Sequence, residues 1–285
     1  DGGQWTMAMN VYKKYGAVPK DLFPETESSK NTGEMNTQLR HLLHTAVAHM
    51  YAAEGDTAKV EQIIAETTAA GHRILTIHLG EPPVSFDWEW TDADGEFHRD
   101  GEITPVEFWK KYVGPAGLED YVCLVDDPRA EHAKGKKIGI EHLGNVAGGD
   151  ATEYLNVPNQ FMKDCVKQIL VEQGIPVWFG ADCHPFMDRE SGAWATDLFE
   201  YGKVYDVDFD LDKEARVRFG DSAMNHAMAF AGVDVADDGT TRRWRVENSW
   251  GVKIADKGYF TMSDDWFTEY VYEVAVPKSM LPAEY

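Results

Sequence analysis

Residues 223–250 read AMNHAMAFAGVDVADDGTTRRWRVENSW. The first part alternates: Met224, His226, Met228 and Phe230 share one face of a strand over 223–235. A second strand over 241–250 sets Trp244, Val246, Asn248 and Trp250 on one face, with Arg243, Arg245, Glu247 and Ser249 on the other. Between them DVADDGTT supplies turn residues. A hairpin centred on Asp237 brings residue 226 opposite residue 248, and directly opposed Cβ atoms lie about 4.5–5.5 Å apart. A carboxamide at that range reaches an imidazole N–H. An amide oxygen on one ring nitrogen fixes the tautomer and leaves the other nitrogen available. Asn does this without adding charge, and Trp250 on the same face could shield the bond from water. A satisfied core histidine fits the same spacing.

Outward from the hairpin, a strand is expected at 257–262, a short helix at 264–270 and a last strand at 271–277. Upstream, PVWFGAD (176–182), YVCLVDDP (121–128) and KKIGIEHL (136–143) read as strands, and NQFMKDCVKQILVEQG (159–174) as an amphipathic helix closed by Gly174. The first half is helical: 4–16 ends at Gly16, and long helices are expected near 33–54 and 56–77, the former with Leu39, Leu42, Leu43, Val47 and Met50 in one stripe. The segment 17–33 is loop-like. Phe86, Trp88 and Trp90 alternate into a hairpin turning at Ala93-Asp94-Gly95, and Thr104, Pro105 and Glu107 make a capped helix start. Helices first and strands later predict an α+β fold.

The chain has 285 residues, 43% hydrophobic and 12% aromatic with nine Trp, enough to build a core. Its 27 basic and 49 acidic side chains leave −22, a charge that repels phosphate backbones and argues against nucleic-acid binding; solubility alone also accounts for it. No apolar run approaches the roughly 18 residues of a membrane span. Cys123, Cys165 and Cys183 are odd in number and scattered, without zinc spacing, so a reducing compartment is favoured. His41, His44 and His49 share a helix but lack a third ligand at useful spacing. The opening DGGQWTM has neither initiator Met nor signal peptide, and a longer parent polypeptide is expected.

Several phrases, in order, carry a resemblance: VYKKYGAVPKDLFPET, ITPVEFW, YVCLVDDPR, GNVAGG, PVWFGAD, FMDRESG, DLFEY, MNHAMAFAGVD, WRVENSWG and KGYFTMSDDWFTEYVYEV. Together they cover nearly the whole chain, which resembles the aminopeptidase C and bleomycin hydrolase family of papain-like cysteine peptidases. The resemblance implies a papain-like α+β fold, incomplete at the N-terminus. It makes His226 the catalytic histidine, Asn248 its orienting partner, Trp250 the shield of that pair at the substrate side, and Gly2-Gly3 the diglycine whose backbone pairs with extended substrate. Glycine suits that place because a side chain would obstruct backbone approach. The family's nucleophilic cysteine and oxyanion-hole glutamine precede the diglycine, so both are expected upstream of Asp1. The order Cys183…His226…Asn248 imitates the triad, but His184-Pro185 interrupts any helix there, and Cys183 has no context that would lower its thiol pKa.

The same resemblance divides the chain into residues 1–24 as the remainder of a helical subdomain, 25–160 as a helical insertion used in oligomerisation, and 161–285 as a β-rich subdomain. It implies a cytoplasmic thiol aminopeptidase of peptide substrates, assembled as a homohexamer, with no metal or organic cofactor and a C-terminal arm in the cleft. The DNA binding of some members is at odds with −22. The 285 residues alone are expected to be inactive and to need the N-terminal segment of the same protein. A non-catalytic papain-like scaffold and an acyltransferase are the other readings of the pair.

Overall fold

The computed structural model describes residues 3–209, 211–283 and 285. The chain starts with helix α1 (Trp5–Tyr15) and divides at residue 15 into two compact units.

Residues 15–112 form one unit. Gly16 ends α1 at φ +77°, and a Cβ there would lie 2.1 Å from the Pro105 carbonyl carbon, so the position admits only glycine. The unit contains α2 (Glu27–Lys30), α3 (Gly33–Ala52), α4 (Thr57–Leu79), the hairpin β1 (Phe86–Thr91) and β2 (Phe97–Ile103), and α5 (Pro105–Phe108). The segment expected to be a loop thus holds α2, which Thr26 and Ser29 start with a reciprocal cap. At α5 the expected Thr104–Glu107 capping box is present. On α3 the inward stripe is Met35, Leu39, Leu42, Ala46 and Met50, with Met35 and Ala46 buried and the other three half-buried, whereas Leu43 and Val47 stand 56% and 57% exposed. The correction is a matter of width: α3 packs mainly along α4, and one main neighbour covers one i, i+4, i+7 row.

Residues 1–14 and 113–285 form the other unit. Its strands are β3 (Tyr121–Val125), β4 (Lys137–Gly139), β5 (Glu153–Asn156), β6 (Val177–Ala181), β7 (Met187–Asp188), β8 (Ala193–Trp194), β9 (His226–Val235), β10 (Thr241–Glu247), β11 (Tyr259–Ser263) and β12 (Val271–Pro277). They make one sheet in the order β4-β5-β3-β12-β6-β9-β10-β11-β8-β7. Its helices are α6 (Asn159–Gln168), continued by a wider turn to a left-handed Gly174, α7 (Tyr201–Tyr205), α8 (Lys213–Phe219) and α9 (Asp264–Tyr270). Residues 113–160 therefore belong with the sheet and not with the helical unit, because β3, β4 and β5 are hydrogen-bonded into its edge. Strand β5, not anticipated from sequence, is short and ends in a buried Asn156 whose amide is taken up by the Asp127 and His132 carbonyls.

The sheet's core includes Phe179, Phe230, Trp244, Val246, Met262, Trp266 and Phe267, all fully buried. Phe179 and Phe230 stack across β6 and β9 at 3.9 Å. In this core three buried indole N–H groups have acceptors: Trp194 on the Cys183 carbonyl, Trp244 on Asp264, Trp266 on the Pro185 carbonyl. Leaving one unpaired would cost about 1–3 kcal/mol. Among the described residues no helix is long and apolar enough to cross a membrane.

Candidate active site

His226 opens β9, where β6 pairs with it through Ala181↔His226. Asn248 lies just past the end of β10, its N–H bonded to the Gly258 carbonyl at 3.1 Å. The expected register is corrected here. The turn centres on Asp238, closed by the Ala236 N–H on the Thr240 carbonyl, and the ladder pairs Val246 with Phe230 and Glu247 with Ala229. Continued, it sets Asn248 level with Met228 and His226 level with Trp250. The two side chains thus meet on a diagonal, a relation that polar side chains can bridge. Bulges at Thr241/Arg243 and Arg245/Val246 shift the pairing out and back by one residue, so both side chains keep the same face.

The imidazole Nε2 lies 2.9 Å from Asn248 Oδ1. The same oxygen accepts the Ser249 N–H at 2.7 Å. A backbone N–H can only donate, so that atom is the amide oxygen, and Nε2 must carry the proton. Nδ1 has no hydrogen-bond partner among the described residues. Asn248 is 9% exposed, and its Nδ2 is buried without an acceptor among the described residues. Trp250 stacks on His226 at 5.2 Å and 18°, with Phe260 edge-on to it at 5.6 Å and the Arg189 guanidinium carbon 4.4 Å from its ring centre.

A second network holds the residue before His226. Asn225 donates to the buried Asp182 carboxylate at 2.6 Å and accepts the Cys183 N–H at 3.1 Å. Asp182 also accepts the Ser222 hydroxyl at 2.8 Å. The exposed His184 places Nδ1 3.0 Å from the Asn225 amide nitrogen. Neither Asn225 nor Asp182 was marked by the sequence, since nothing local reports a contact across 43 residues.

The Cys183 thiol is not hydrogen-bonded to His226; it is buried, and burial with the neighbouring Asp182 carboxylate pushes it up to about 11. Burial likewise lifts Cys165 to about 11, and burial with the Glu273 carboxylate lifts Cys123 well above the usual thiol value. Gly3 is exposed, and a Cβ there would meet nothing within 4 Å, so no contact among the described residues requires glycine. Gly2 lies outside the described residues.

Residues 1–285 match the Peptidase C1-like family over their whole length. The chain belongs to the Peptidase C1-like family. Aminopeptidase C of Lactobacillus delbrueckii subsp. lactis is 41% identical over 287 residues, covering all of this chain and 63% of that protein. Human bleomycin hydrolase is 38% identical over 294 residues, covering all of this chain and 64% of that protein. A solved structure of PepW from Lactobacillus rhamnosis superposes with a TM-score of 0.92 at 40% identity, covering all of this chain and 64% of that one. This Peptidase C1-like chain has the α+β, papain-like cysteine peptidase fold, and it spans about 64% of the length of the curated relatives it matches.

Proposed function

We propose that this chain is the histidine-bearing part of a cytoplasmic thiol aminopeptidase. The observation that carries the proposal is the Nε2–Oδ1 bond of 2.9 Å, whose amide is locked by Ser249 so that Nδ1 alone is left for chemistry. The raised thiols of Cys123, Cys165 and Cys183 favour a nucleophile outside these residues. That thiolate attacks the scissile carbonyl carbon; as the C–N bond breaks, the imidazolium hands the Nδ1 proton to the leaving amine. Water then gives a proton back to Nδ1, attacks the thioester, and releases the acid and the thiolate. Asn248 orients the ring through both steps without adding charge. Trp250 and Gly3 line the substrate side, and the protein forms a homo-oligomer. The substrates are peptides with a free amino end.

The test compares this chain with the full-length protein on aminoacyl-arylamides. Turnover is expected only from the full-length protein, and it should vanish in His226→Ala. Hydrolysis by these 285 residues that is lost in Cys183→Ala would overturn the assignment. Absence of a cysteine and a glutamine ahead of DGGQW in the full-length protein would favour a non-catalytic scaffold.

A further inference from the structure

Arg189 has no role in the chemistry described so far. It lies in the turn between β7 and β8, exposed, with its guanidinium carbon 4.4 Å from the Trp250 ring centre. In a chain with 49 acidic side chains, it has no ion pair or hydrogen bond among the described residues. The acids beside it are otherwise occupied or turned away: Asp188 accepts the Ser191 hydroxyl and the Glu190 N–H, and neither Asp188 nor Glu190 bridges to it. Arg216, Arg218, Arg242 and Arg245 all hold a carboxylate.

The plane of an arginine resting on an indole is held by cation–π attraction, while its in-plane N–H donors stay open. Those donors match a carboxylate in geometry and charge. Trp250 also stacks on His226 at 5.2 Å, so the guanidinium stands one aromatic ring from the imidazole. The two contacts put the guanidinium carbon no farther from the imidazole centre than their combined length, a reach that three steps can cover: about 3 Å from the imidazole to the nitrogen it protonates, about 3.5 Å along one residue, and about 2.8 Å for a charge-assisted hydrogen bond.

We infer that Arg189 recognises a carboxylate on the leaving-group side of the substrate, one residue beyond the scissile bond. This rests on the peptidase reading above. It makes peptides that end one residue after the cut, or carry an acidic side chain at that residue, the favoured substrates. Trp250 then acts as the floor that fixes the guanidinium as well as the cover of the His226–Asn248 bond.

The experiment uses leucyl-glycine against leucyl-glycinamide for a terminal carboxylate, and leucyl-glutamic acid amide against leucyl-glutamine amide for a side-chain one. In the full-length protein, kcat/KM for the carboxylate member should exceed its amide partner ten- to a hundredfold in at least one pair, and the responding pair identifies the source. Arg189→Met should bring that ratio close to one, and Arg189→Lys should keep part of it. A ratio near one in the wild type, or one that Arg189→Met does not move, overturns the inference; a merely structural role for Arg189 would lower both members together. Binding of the uncleavable reduced-amide forms, followed by Trp fluorescence, separates this inference from the peptidase reading. A carboxylate preference in binding without any hydrolysis leaves Arg189 in this role and removes the peptidase; no preference in binding removes Arg189.

Discussion

Trp250 lies nearly parallel to His226, 5.2 Å away at 18°, over the imidazole that Asn248 holds. A ring in that position keeps water off a hydrogen bond and so strengthens it. Replacing it with alanine should lower kcat/KM of the full-length protein by about tenfold, equivalent to ~1.4 kcal/mol, while Trp250→Phe retains most activity. A wild-type rate in Trp250→Ala would remove the cover from the mechanism.

Asn248 offers one oxygen that the His226 and Ser249 N–H groups share. Hydrogen bonds to charged groups contribute about 1.5–3 kcal/mol, so Asn248→Ala should slow the full-length protein about ten- to a hundredfold. His226→Ala should remove nearly all activity. Single-turnover kinetics on both variants checks the order, and an unimpaired Asn248→Ala would refute the orienting role.

The three cysteines should behave as inert core. With Cys165 and Cys183 pushed up to about 11 and all three buried, alkylation of the folded chain at neutral pH should be slow, and denaturant should release three reactive thiols. Fast labelling of Cys183 in the native chain, read by mass spectrometry, would contradict this and reopen its candidacy as nucleophile.

Glu273 should make stability depend on pH. It is fully buried in β12 beside the Cys123 thiol, a weak donor, and neither carboxylate oxygen has another hydrogen-bond partner among the described residues. Burial raises it from an ordinary 4.5 to about 8. Between those values the folded chain holds one proton more than the unfolded chain. Stability should therefore be highest below the unfolded value, fall as pH rises through the window, and level off above about 8, with a slope of at most about 1.4 kcal/mol per pH unit. Glu273→Gln should flatten that slope. Denaturant midpoints at three pH values measure it, and an identical slope in Glu273→Gln would show that the carboxyl finds a partner.

Much of this was readable from residue order. The period-two runs around His226 and Asn248 named the correct faces, since side-chain alternation is a local property of extended backbone. The capping box at Thr104, the Gly16 stop, and the run of β11, α9 and β12 were legible for the same reason. The pairing register was not. The turn centres one residue later than its composition suggests, and two bulges interrupt the ladder without altering parity. Leu43 and Val47 look like core on a helical wheel, yet their exposure depends on how many neighbours α3 has.

Sequence by itself thus determined which side chains of the central hairpin belong to the sheet's inner face, where α1 stops and α5 starts, and that an imidazole and a carboxamide share one surface. Tertiary structure alone decided that they meet diagonally, that Ser249 locks the amide, that Cys183 is sealed among apolar side chains, and that Arg189 rests on Trp250. The division is physical. Periodicity and capping act within a few residues, whereas burial, register and a guanidinium stacked on an indole 61 positions away exist only once distant strands have been brought side by side.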